Sequence, residues 1–210
     1  IQSDDDLAVI LGHETAHYTR AHTLERFRRI RSSMMTGALA SLGFGLATGV
    51  LVPIGESAAM LSVMAYSRTQ EEEADLLGAK MVANADLDPH ASYRLWQRLI
   101  EEEEHAVDKS ESSVFMRSHP ESAQRAAVLK NWVIATYGQP RETGKNLDAL
   151  MTLLAADYMM LMTDQIKSNR YGRTELMLQW HEAMGIDVAQ VEFFRAQMYA
   201  QRGQEGDADR

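Results

Sequence analysis

The sequence contains no cysteine. That excludes a disulfide framework and any thiolate metal site, and it leaves the cellular compartment open. Positive charge is in deficit: 21 Lys and Arg stand against 30 Asp and Glu, for a formal net charge of −9. Without a basic footprint no nucleic-acid partner is expected. Strand patterns are nearly absent, so the fold class expected is mainly α. Charge of either sign is missing between Ser32 and Gly55, where Gly45 and Gly49 form a G-x-x-x-G pair. Hydropathy and length alone would let that stretch cross a membrane. The chain begins at Ile1 with no signal peptide in view, so a piece of a longer protein is expected. Its 210 residues are enough for one domain with its own core, or one with a small appendage.

What is present is concentrated in Gly12-His13-Glu14-Thr15-Ala16-His17, an H-E-x-x-H motif inside an apolar helical run. Helical residues four apart lie one above the other, so His13 and His17 present two imidazoles to one point. Glu14 is one residue further round, able to reach a water there without ligating. Two neutral imidazoles suit Zn²⁺, which in a catalytic site takes a third protein ligand and keeps an open position. The alternative for so short a motif is a pair of structural histidines on a solvated helix face. A second stretch, Ser67 to Asp75, carries Glu71 and Asp75, again four residues apart on one helix face. One of the two can ligate zinc while the other accepts a hydrogen bond from the far nitrogen of a ligand histidine. Alternatively, Glu71 to Glu73 form a solvated acidic turn.

The two motifs in this order resemble the gluzincin metallopeptidases of peptidase family M48, whose signature is H-E-x-x-H followed at a distance by S-R-x-x-E-x-x-A-D. Arg20-Ala21-His22 resembles the family's R-x-H element after the zinc helix, and Ser118-His119-Pro120 with Arg125 resembles its T-H-P…R element. The resemblance covers about residues 5 to 135. It implies one zinc ion per chain on His13, His17 and Glu71, with Asp75 orienting a ligand histidine. Glu14 is the implied general base, and His119 or Arg125 the implied oxyanion stabiliser. If its loop lets His119 reach the open zinc corner, that imidazole would displace water and shut the enzyme off; the alternative is a histidine that simply packs beside the site.

The resemblance further implies a zincin-like helical core lacking its N-terminal strands. The activity expected is zinc-dependent endoproteolysis of protein or peptide substrates in envelope quality control, in the bacterial periplasm or at a membrane. The alternative function is a helical-repeat partner-binding or chaperone protein with a latent or structural zinc site.

In chain order, a helix is expected from Asp4–Asp6 to about Ile30, with Arg26, Arg28, Arg29 and Arg31 at its basic end. A single membrane crossing after it would separate the two histidines from Glu71, and Ser57 to Ser67 is too short to return. Met34–Val52 and Glu56–Ala83 therefore read as a helical hairpin, with residues 34–66 packed on protein or dipping into a membrane surface. Pro89 opens a helix to about His105, and Glu101–Glu104 reads as its solvated acidic end. A polar, serine-rich loop follows to Ser118, then a helix from Pro120. Gly138–Lys145 is a linker dividing a peptidase domain, 1–138, from a helical extension, 139–210. In that extension, expected helices lie over Leu147–Lys167, Thr174–Met184 and Val188–Arg202. Ala196, Tyr199, Gly203 and Ala208 sit at spacings similar to one partial tetratricopeptide-like repeat, a surface for a partner protein, with ordinary helical packing as the equal alternative. Met151, Met159, Met160 and Met162 read as adaptable core.

Overall fold

A computed structural model of the chain describes residues 1–50, 66–106, 118–119, 123–140, 152–168 and 170–203. The elements are α1 (Asp4–Thr19), α2 (His22–Thr48), α3 (Arg68–Asn84), α4 (Ala91–Glu104), α5 (Ala123–Tyr137), α6 (Tyr158–Lys167), α7 (Tyr171–Ala183) and α8 (Val188–Gln201). No strand occurs among the described residues, so the fold is mainly α as expected. Two compact units are present. One comprises Asp5–Tyr93 with Ser113–Pro140, the other Ile1–Asp4 with Arg94–Ser112 and Arg141–Arg210.

In the first unit the expected helix from Asp4 to Ile30 is broken. Ala21 takes a left-handed conformation, φ 57° and ψ 25°, so α1 ends at Thr19 and α2 starts afresh at His22. A left-handed non-glycine residue carries a steric cost and no sequence signal, which is why the periodicity reads straight through it. Beyond the break, α2 runs 27 residues without interruption to a left-handed Gly49, joining what the sequence divided into two helices.

Only His22 of α2 is buried. Phe27, Met35, Leu39, Leu42 and Leu46 stand exposed along it. No described helix is long and apolar enough to cross a membrane. The turn of the expected hairpin, residues 51–65, lies outside the described residues.

The second motif starts on a strong local signal. Ser67 caps α3 through a capping box: its hydroxyl accepts from the Gln70 N–H at 3.2 Å, and the Ser67 N–H donates to Gln70 Oε1 at 3.2 Å. The apolar centre of this unit is built from small residues. Ala16, Ala74 and Ala79 are buried with Val9, Val82, Leu129 and Val133. α1 and α3 approach so closely that a Cβ on Gly12 would lie 3.0 Å from the Gly78 carbonyl oxygen. That approach sets His13 and His17 opposite Glu71.

In the second unit α6, α7 and α8 pack around Met162, Ile166, Leu178, Val191, Phe194 and Met198. Of the methionine patch only Met162 joins this core; Met159 and Met160 are exposed and Met151 lies outside the described residues. Buried Arg173 pairs with Glu103. His105 Nδ1 lies 2.8 Å from the Glu101 carbonyl, closing the acidic end of α4 as a helix terminus. Ala208, one position of the repeat pattern, is also outside the described residues.

Candidate metal centre

α1 supplies two buried imidazoles and α3 a buried carboxylate, and one more imidazole arrives at His119. Their facing atoms form a compact group. His13 Nε2 lies 3.1 Å from His17 Nε2 and 3.2 Å from His119 Nδ1. Glu71 Oε1 lies 3.1 Å from His119 Nδ1 and 3.4 Å from His17 Nε2, and Glu71 Oε2 lies 3.5 Å from His13 Nε2.

Hydrogen bonding does not account for this convergence, because three ring nitrogens and a carboxylate crowd one point and leave several lone pairs face to face. An ion does account for it. Ligands held tetrahedrally at about 2.0–2.1 Å stand roughly 3.3 Å from one another, and imidazole with carboxylate is a donor set zinc takes. The four residues therefore fit a zinc ion, and all four are buried.

The charges agree. Burial acts to lower the His13 pKa, yet the hydrogen bonds and charges of Asp75 and Glu71 outweigh it and raise the pKa to about 9. A field that favours an imidazolium at this point favours a cation there. Burial lowers the His17 pKa, with Glu71 acting in the opposite sense. Burial acts to raise the Glu71 pKa, but His119, His13, His17 and the Arg125 charge hold it far below the usual carboxylate range.

Behind these atoms the next residues lock their orientation. His13 Nδ1 lies 3.0 Å from Asp75 Oδ1. Arg125, buried on α5, donates from Nε to Asp75 Oδ2 at 2.6 Å and from Nη2 to Asp75 Oδ1 at 3.2 Å. Its Nη1 lies 2.9 Å from Glu71 Oε2. The guanidinium thus bridges both carboxylates of α3. Glu14 is different: its side chain is 45% exposed, with Oε1 3.4 Å from His119 Nε2. It sits beside the cluster without entering it, reachable by water.

Residues 1–133 match the family model described as "Peptidase family M48". The chain belongs to that family. This M48 chain is 31% identical over 141 residues to the mitochondrial metalloendopeptidase OMA1 of Schizosaccharomyces pombe, an alignment spanning 63% of the chain and 37% of that protein. It is 30% identical over 127 residues to the putative beta-barrel assembly-enhancing protease of Vibrio cholerae, spanning 57% of the chain and 25% of that protein. Against the beta-barrel assembly-enhancing protease of Yersinia pestis it is 24% identical over 155 residues, spanning 70% and 31%. The M48 chain thus spans well under half the length of these curated relatives. No solved structure matches it.

All seven residues singled out from the sequence fall in one neighbourhood. His13, His17, Glu71 and His119 converge, Asp75 and Arg125 stand behind them, and Glu14 flanks them. Several neighbours had no sequence role. The Tyr66 ring packs at 4.0 Å from the His17 ring and 5.1 Å from the His119 ring. Its N–H donates to the Ser118 carbonyl at 3.1 Å, tying His119's backbone to the start of α3. Its place just before the capping box was the one available signal. His22 was visible in the R-x-H element, but its partners depend on the left-handed turn at Ala21.

Proposed function

We propose that the chain is the catalytic part of a zinc-dependent endopeptidase that cleaves protein substrates. The observation that carries the proposal is the convergence of His13, His17 and Glu71 with Glu14 beside them, half-exposed and outside the ligand set. A bound zinc ion would lower the pKa of a water and polarise the scissile carbonyl. Glu14, beside the cluster, would serve as the base that takes a water's proton and hands it to the leaving amine. Asp75 holds His13 with its Nδ1 as donor, so that Nε2 keeps its lone pair for the ion. Arg125 fixes Asp75 and Glu71 relative to one another.

His119 holds the fourth corner of the cluster, the place a reacting water needs. We read this arrangement as a resting form: His119 as a fourth ligand, with cleavage requiring it to withdraw. Its Nε2 beside Glu14 supports a second use as donor to the developing oxyanion. Relatives named as mitochondrial and as enhancing beta-barrel assembly support envelope or membrane-associated work. The exposed apolar side chains of α2, following Arg26, Arg28, Arg29 and Arg31, support contact with a membrane surface.

The test is Glu14→Gln. It should retain one zinc per chain and lose casein cleavage, because it removes the base and leaves every ligand. Zinc retention with undiminished cleavage would show that another residue is the base. Zinc bound by a wild-type chain that cleaves nothing would favour the helical partner-binding alternative with its latent or structural zinc site.

A further inference from the structure

Among the described residues, no carboxylate stands behind His17 to match Asp75 behind His13. His17 has a longer arrangement instead. Its Nδ1 lies 3.1 Å from the Nδ1 of His22, whose Nε2 lies 3.3 Å from Glu73 Oε2. Arg20 Nε lies 2.9 Å from the other oxygen, Glu73 Oε1. His22 is 3% exposed, whereas the Glu73 side chain is 43% exposed and Arg20's 52%. The line runs from the buried ligand atom to the surface.

Only one proton assignment satisfies every link if His17 offers the lone pair of Nε2 to a cation. His17 Nδ1 must then carry hydrogen and donate, His22 Nδ1 must accept, and His22 Nε2 must carry the hydrogen that it donates to Glu73. The Ala21 turn makes this possible. By ending α1 at Thr19 it brings the first residue of α2 back against His17, which an unbroken helix would not do.

We propose that His22 is a positioning residue for the metal centre, and that Arg20–Glu73–His22 is a relay fixing the tautomer and ring plane of His17. The proposal rests on the zinc reading above. It differs from the Asp75 arrangement in inserting a neutral ring between ligand and carboxylate, so its outer end can be altered without touching the core. His22→Leu removes the acceptor while keeping the volume filled, and Glu73→Ala removes only the half-exposed outer end.

The measurement is zinc affinity of the full chain by chelator competition, with the melting temperature of the chelator-stripped protein read alongside. His22→Leu should weaken zinc binding about 10- to 100-fold while the stripped protein melts as the wild type does. Glu73→Ala should weaken it several-fold, and the double variant should be no weaker than His22→Leu alone, because both act through one relay. His22→Gln, which can accept from His17 and donate to Glu73, should recover part of the affinity.

Wild-type affinity in both His22→Leu and Glu73→Ala would overturn the relay. A loss in His22→Leu that tracks a lower melting temperature, with Glu73→Ala unchanged, would reduce His22 to a packing residue and overturn it also. Failure of the wild-type chain to bind zinc is a separate result, and it removes the metal reading itself.

Discussion

The close approach of α1 and α3 makes the metal centre sensitive to a single methyl group at Gly78. A Cβ there would stand 2.9 Å from the His13 nitrogen, 3.1 Å from the Gly12 carbonyl carbon and 3.2 Å from the His13 Cα. All three are backbone atoms that cannot rotate away. Ordinary contact begins at 3.4 Å, so the helices must part by about half an ångström. Two effects on stability oppose one another. Alanine gains about 1 kcal/mol over glycine inside a helix, and overpacking a filled interface costs about 1–3 kcal/mol. Net stability therefore falls by about 0–2 kcal/mol.

The metal has no such compensation. Gly12 adjoins His13, and Gly78 is one turn past Asp75 on the helix that carries Glu71. Plausible metal–ligand distances hold within about 0.2 Å, so moving one helix by half an ångström should cost roughly tenfold in zinc affinity. The assay is chelator competition on Gly78→Ala beside thermal melting of the stripped protein. Gly43→Ala serves as the control, since a Cβ there meets nothing within 4 Å. It should be neutral or stabilising and leave zinc untouched. Wild-type zinc affinity in Gly78→Ala would refute the claim that this crossing sets the ligand geometry.

Two further substitutions separate the roles around the site. Asp75→Ala leaves His13 Nδ1 without its acceptor and Arg125 without its bidentate partner, and should cost about 10- to 100-fold in zinc affinity, read by the same competition; an unchanged value would make Asp75 a bystander. His119→Ala should raise casein cleavage or loosen zinc if His119 holds the fourth corner at rest. Lower cleavage with unchanged zinc would assign it to the oxyanion alone, and no change in either would remove it from the mechanism.

Local periodicity carried much of this molecule in the sequence. The four-residue spacings of His13 with His17 and of Glu71 with Asp75 define two helix faces without any tertiary information. The start of α3 was not read: the capping box of Ser67 with Gln70 begins the helix at Arg68, inside the span Glu56–Ala83 taken as one helix. What stayed hidden depends on contacts far apart in the chain. Gly12 and Gly78 look like ordinary helical glycines until the two helices cross there. Ala21 is left-handed for reasons its own side chain does not announce, and the His22 relay exists only because of that turn. Arg125 was legible as part of a motif, but its hold on both Asp75 and Glu71 required the placement of α5. The exposed apolar length of α2 was misjudged in its boundaries, since no glycine or proline within it breaks the helix before Gly49.

The central claim is that four buried side chains from α1, α3 and the His119 segment hold one zinc ion. Metal content by elemental analysis of purified chain tests it most directly, with Glu71→Gln and His17→Ala measured in parallel. One zinc per wild-type chain and strongly reduced occupancy in both variants is the result expected. Zinc content in both variants equal to the wild type, or no zinc in any, would contradict it.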